Sequence, residues 1–128
     1  MKLLLDTHIF LWYIGADKKL PSRFHEEIRN PENEVYLSTI SLWEVIIKNQ
    51  LGKLPLPEPP QLFIPSERQR HLIESLPLDE ASVRYLAELP PLHRDPFDRM
   101  LICQAKANQM TLVTSDSAIL QYSVTTLT

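Results

Sequence analysis

The chain opens on an unbroken apolar run, Leu3-Leu4-Leu5, closed by Asp6. So short a continuous run predicts a strand over residues 2–6 that is covered on both faces. Residues 8–14 leave room for a helix, and Phe24 and Ile28, four apart after Pro21, predict another over 22–30. EVYLS at 34–38 is β-branched and aromatic enough for a second strand. Apolar residues then recur at helical spacing over 40–51 and run into Gly52, where a helix-ending glycine belongs. Prolines at 55, 57, 59, 60 and 65 predict a stiff connector, with a helix from Ser66 and a short strand over 71–76. Asp79 can cap a helix through Leu86. Residues 90–94 read as a loop, and Asp95-Pro96 as a cap followed by proline at the first helical position, opening a helix to about Asn108. TLVT at 111–114 predicts a strand and residues 123–127 a last one. Strands separated by helical stretches imply an α/β fold: a three-layer α/β/α sandwich with a mainly parallel central sheet.

At 128 residues, this pattern fits a single domain over 1–128, and 44% hydrophobic with 23% charged residues is ordinary for a soluble globular protein. The lone cysteine, Cys103, excludes an internal disulfide framework and fits a reducing compartment. Apolar runs such as 3–5 and 45–47 fall far short of the roughly 18 residues a membrane span needs. Asp6 interrupts what would otherwise resemble the apolar part of a signal peptide, so the expectation is a cytoplasmic protein.

Four acids stand against the apolar pattern. Asp6 closes the first strand and Asp116 follows the strand at 111–114, so both fall at the carboxyl edge of a parallel sheet, where ligands bind. Glu44 interrupts the stripe Ile40, Ile47, Leu51, and Asp98 shares a helix face with Leu101, Ile102 and Ala105. A carboxylate on a core-facing stripe must be paired, protonated or bound to a cation. Each has a simpler alternative. Asp6 could cap the following helix, Asp116 could start a turn, Glu44 could pair with Lys48, and Asp98 could close a capping box with Asp95. Taken together, four acids brought to one edge would repel strongly, and without a cation at least one would be driven towards its neutral form.

Oxygen donors without histidine or cysteine favour magnesium or manganese over zinc. His8, His25, His71 and His93 show no ligand spacing. A carboxylate cluster holding one or two such ions suits phosphodiester hydrolysis, in which the metal lowers the pKa of a water and stabilises the attacking and leaving oxygens. Removing the five negative charges of Asp6, Glu44, Asp95, Asp98 and Asp116 from the net charge of −3 leaves +2, compatible with a nucleic acid. Arg68, Arg70, His71 and Arg94 are candidate phosphate contacts, with solvated surface positions as the alternative.

Four segments in this order, LLLDTH (3–8), VYLSTISLWEVIIKNQLGKL (35–54), HRDPFDRMLICQA (93–105) and TLVTSD (111–116), resemble the PIN-domain ribonucleases, specifically the toxin subunits of VapBC-type toxin-antitoxin pairs. The resemblance implies that Asp6, Glu44, Asp98 and Asp116 form an acidic quartet holding magnesium or manganese. Asp95 would be an extra acid, either cap or outer ligand, and Thr7 and Thr114 small polar residues beside the acids. His8 departs from the asparagine or serine often found there. The same resemblance implies an RNA substrate, a homodimer, and a VapB-type antitoxin that covers the site. Phe10, Leu11, Trp12 and Tyr13 could anchor that antitoxin, although part of this run must be core.

The leading expectation is a metal-dependent endoribonuclease acting as a toxin. A housekeeping RNA-processing or DNA nuclease on the same scaffold is a second enzyme reading, and a catalytically silent binding subunit a non-enzyme one. A receiver-type phosphoacceptor domain would need a lysine after a late strand, and no lysine follows Lys106.

Overall fold

A computed structural model describes residues 1–127. Strands β1 (Lys2–Leu5), β2 (Glu34–Ser38), β3 (Glu74–Leu76) and β4 (Thr111–Val113) form one sheet in the order β3-β2-β1-β4, every pair parallel. Their carboxyl ends therefore lie along one edge. In register, Leu3 faces Val35 and Thr111, Leu4 faces Tyr36 and Leu112, and Leu5 faces Val113.

The two-residue period of a strand divides these side chains between two cores. Leu3, Leu5, Val35, Leu37 and Val113 join one cluster with Ile9 and Phe10 of α1 (Thr7–Ile14), Phe24 and Ile28 of α2 (Ser22–Arg29) and Ile64 of α4 (Pro60–Arg70). Leu4 and Leu112 join the other, with Leu101 and Ile102 of α6 (Pro96–Ala107) and Ile119 of α7 (Ser117–Leu120). The result is the expected three-layer arrangement. Burying each such leucine or isoleucine contributes about 1.5–3 kcal/mol. Helix α3 (Thr39–Gln50) places Ile40 in the second cluster and Val45 in the first, so it crosses the carboxyl edge of the sheet. Ser38 caps it, its Oγ accepting from Ile40 N at 2.9 Å and donating to the buried Gln104 Oε1 of α6. Gly52, at φ 73°, ends this helix as expected, with Lys53 N donating back to Lys48 O at 2.9 Å. Asp79 caps α5 (Glu80–Tyr85), accepting from Ser82 N at 2.9 Å, and a 3-10 turn (Leu86–Glu88) follows.

Three expectations are corrected. The connector is helical from Pro60, well before Ser66, because a proline at the first helical position surrenders no needed hydrogen bond. Pro65 inside the helix is tolerated while Pro60 and Ile64 bury on the core. The strand expected over 71–76 contracts to three residues, since Leu72 adopts the left-handed conformation at φ 58° and turns the chain. Residues 123–127 form no strand. They contribute a single bridge, Leu112 to Thr126, with Leu112 N donating to Thr125 O at 2.8 Å and Leu127 N to Leu112 O at 3.2 Å.

Candidate active site

The parallel sheet brings the ends of β1 and β4 together. Asp6 follows β1, and its backbone occupies the cap position of α1, yet its side chain makes no cap bond. Its Oδ2 instead accepts from Thr114 Oγ1, the residue after β4, at 2.9 Å. Asp6 is buried, at 5% exposure, and that burial raises its carboxyl above the ordinary 3.8. Thr114 and His8 pull it down, and Glu44 pushes it further up.

Glu44 reaches the same edge from α3, at 2% exposure. Thr7 Oγ1 lies 2.7 Å from Glu44 Oε1 and 2.8 Å from Ser41 Oγ. A carboxylate only accepts, so the single Thr7 proton goes to Glu44 and Ser41 donates to Thr7. Lys48, one turn on, pairs with Glu44 Oε2, so the ion-pair alternative for Glu44 is realised alongside its burial. Burial lowers the Lys48 ammonium, but the Glu44 bond and the charges of Glu44, Asp95 and Asp98 outweigh it and raise its pKa.

Asp98 is buried in the first turn of α6. Asp95 caps that helix, its Oδ1 accepting from Phe97 N at 2.9 Å and Asp98 N at 3.1 Å. The Asp98 carboxylate does not complete a capping box: its Oδ2 lies 3.3 Å from His93 Nε2. Burial, then the charges of Asp95, Asp6, Glu44 and Asp116, push Asp98 up to about 7. Burial is the larger cause, and the neighbouring acids add to it in the direction expected of a crowded carboxylate group. Among the described residues, no three Asp, Glu, His or Cys side chains form a ready-made metal cage. The acids share a field without yet sharing a ligand point.

Asp116 differs from the other three. It is exposed and caps α7, accepting from Ala118 N at 2.9 Å, while its own N–H donates to Thr114 Oγ1 at 3.1 Å. The turn alternative describes its local role, and its charge still reaches Asp98. Thr114 thus bridges Asp6 and Asp116 through one hydroxyl.

The remaining candidates fall elsewhere. Arg68 donates to Ile73 O at 2.8 Å and Arg70 pairs with Glu67 at 2.7 Å, which ties both to the end of α4. His71 lies edge-on to Tyr13, with ring centroids 5.3 Å apart. Arg94 is exposed in the loop before α6. Phe10 is fully in the core, while Leu11, Trp12 and Tyr13 are half-buried against it, so part of this run is core as expected. Residue spacing had not pointed to His93 and Tyr122, whose side chains stand behind Asp98 with Nδ1 and Oη 2.8 Å apart. The only local signal was the position of His93 five residues before Asp98.

Comparison with known proteins fits this arrangement. The PIN domain family model matches residues 3–124. Ribonuclease VapC16 of Mycobacterium tuberculosis is 37% identical over 54 residues, covering 42% of this chain and 38% of that protein, so the match spans well under half of the relative's length. In solved structures, a chain of VapBC2 from Rickettsia felis, bound to a DNA fragment from its promoter, superposes with TM-score 0.74 at 20% identity, covering 99% of this chain and 98% of that one. A chain of VapBC-1 from nontypeable Haemophilus influenzae gives TM-score 0.69 at 16% identity over 99% and 97%. At these identities the structural likeness is one of fold.

Proposed function

This chain belongs to the PIN-domain family, and from that premise we propose that it is a divalent-metal-dependent endoribonuclease, the toxin of a type II toxin-antitoxin pair. The observation that carries the reading is that Asp6, Glu44 and Asp98 are all buried at the carboxyl edge of the sheet, where their negative charges share one field. Such a field is costly for a protein to maintain and is relieved by a hard cation. The chemistry of the donor set suits one, although the side chains do not converge on a single point: Asp6, Glu44 and Asp98 offer carboxylate oxygens at the carboxyl edge of the sheet, with Asp116 at its rim. Magnesium or manganese is the cation proposed.

When bound, the cation supplies Lewis-acid chemistry, acidifying water and offsetting negative charge on the phosphodiester. The chain's own residues prepare the site. Thr114 holds Asp6 and Thr7 holds Glu44, each through a hydroxyl that donates to one carboxylate oxygen. Lys48 pairs with Glu44 and balances part of the negative charge beside it. Trp43, on the same helix as Glu44, is 55% exposed and lies edge-on to Phe97, with ring centroids 5.0 Å apart. An exposed aromatic packed on Phe97, the residue before Asp98, suits stacking of an unpaired base, which supports a single-stranded RNA segment as substrate.

A VapB-type antitoxin and a homodimer are proposed as partners on the likeness to VapBC assemblies. No helix among the described residues is long and apolar enough to cross a membrane. The test is cleavage of total cellular RNA by the purified chain with magnesium or manganese, against chelator and an Asp98→Asn control. Discrete fragments that need metal and vanish in the variant are expected. Undiminished cleavage by a folded Asp98→Asn protein would overturn the site, and metal binding without cleavage of RNA or DNA would favour a silent binding subunit.

A further inference from the structure

Behind Asp98, three side chains from separate parts of the chain meet at one phenol oxygen. Tyr122, which follows α7, is buried at 5% exposure. Its Oη lies 3.1 Å from the backbone N of His93 and 3.0 Å from Arg99 Nη1 on α6. A backbone N–H and a guanidinium can only donate, and a phenol oxygen has two lone pairs to offer and one proton to give. Those two donors fill its accepting capacity. The remaining contact, 2.8 Å to His93 Nδ1, must therefore use the phenol's own proton. Nδ1 is then an acceptor and carries no hydrogen, so the imidazole proton sits on Nε2, 3.3 Å from Asp98 Oδ2. The opposite tautomer, or a doubly protonated ring, would set a third donor against an oxygen with no lone pair left.

We propose that Tyr122 and Arg99 fix the tautomer of His93, and that His93 is a positioning residue whose Nε2–H holds Oδ2 of Asp98 and leaves Oδ1 as the oxygen for a cation. The inference rests on the reading of Asp98 as a metal ligand. Its logic is that of an imidazole held by one partner so that it can orient another. The rings of His93 and Tyr122 pack edge-on, centroids 5.2 Å apart, which fixes the direction of the Nε2–H bond. Orienting partners of this kind typically contribute about 10–100-fold to metal affinity. His93 touches the ligand and not the substrate, so its effect should appear in metal binding before it appears in RNA binding.

The first test uses the whole metal-free chain in chelator, with long-range proton–nitrogen correlation of labelled histidine. His93 is expected as the Nε2–H tautomer, and Tyr122→Phe, which keeps the ring and removes the hydroxyl, is expected to admit the Nδ1–H form. Calorimetric titration with manganese follows. Tyr122→Phe and His93→Ala are expected to weaken binding about 10–100-fold, and His93→Gln, whose amide restores a donor, to recover part of the loss. An Nδ1–H tautomer in the wild type overturns the inference, as does unchanged manganese affinity in His93→Ala. If Tyr122→Phe does not fold, the wild-type tautomer and the His93 pair of variants still decide it. Asp98→Asn separates the two failures. If it abolishes manganese binding while the His93 variants do not, the positioning role alone is wrong; if it binds manganese like the wild type, the metal reading beneath it is wrong.

Discussion

Asp98→Asn is expected to stabilise the metal-free protein above pH 7 and to remove its response to magnesium. In the fold the carboxyl is held at about 7 against an ordinary 3.8. At about 1.4 kcal/mol for each tenfold change in proton affinity, keeping Asp98 ionised costs the native state up to about 4 kcal/mol. Asp98 is 8% exposed, so solvent screens little of this. Asparagine keeps an oxygen that can accept from His93 and sheds the charge, but Lys48 loses one of its attracting neighbours. A net gain of about 2–4 kcal/mol follows. The sign fixes its pH dependence. A carboxyl raised in the folded state stabilises that state below its unfolded pKa, and the contribution is lost as pH rises through about 7. The advantage of the variant should therefore be slight below pH 4, grow steadily from there through neutrality and level off by pH 8. Urea denaturation in chelator at pH 5.5 and 8 reads it directly: at about 1–3 kcal/mol per molar, the midpoint at pH 8 should rise by about 1–2 M. Adding magnesium should stabilise the wild type, by about 2.7 kcal/mol at a hundredfold excess over its dissociation constant, and leave the variant unmoved. If Asp98→Asn is instead destabilised in chelator at pH 8, or its advantage is the same at both pH values, the acids do not act on Asp98 as argued.

Other perturbations probe the supports of the site. Thr114→Val removes the hydroxyl that serves Asp6 and the Asp116 backbone at once. Denaturation should show a loss of about 1–3 kcal/mol, and a neutral substitution would mean that the Asp6 carboxylate finds another donor. Lys48→Met leaves Glu44 buried without its cation; because Lys48 is 34% exposed, the expected loss is only about 1–2 kcal/mol, and magnesium should restore part of it. Away from the site, burial and then Arg70 hold the His71 imidazole below the ordinary 6.5, against the pull of Glu67. Its neutral form favours the fold, so stability should fall as pH drops below 6.5; a His71→Gln protein that declines as steeply would assign that slope to other groups.

The parts of this molecule that were legible in the sequence are those whose signals are local. Leu3-Leu4-Leu5 suits a covered strand by its length and position, and Gly52 and Asp95-Pro96 mark helix ends through their own backbone preferences. Asp6, Glu44 and Asp98 were visible because an acid in an apolar pattern conflicts with burial, and all three are buried. Asp116 shows the limit of that signal: an acid two residues past a strand lies at the right edge, but position alone does not determine whether it turns inward, and it caps α7 in solvent. The α4 helix was hidden because its prolines speak against a helix locally, whereas its support comes from Ile64 reaching a core built by distant segments. His93 and Tyr122 are separated by 29 residues, and no periodicity relates them. What joins them is hydrogen-bond capacity, a constraint that appears only once the fold brings Arg99, His93 and Tyr122 to one oxygen. Conflict with burial therefore located the carboxylates from sequence, whereas the groups that aim one of them emerge only from three-dimensional satisfaction of donors and acceptors. Substitutions in the acids should consequently act on charge and metal, and substitutions in the aiming network on geometry, with the total charge of the cluster left unchanged.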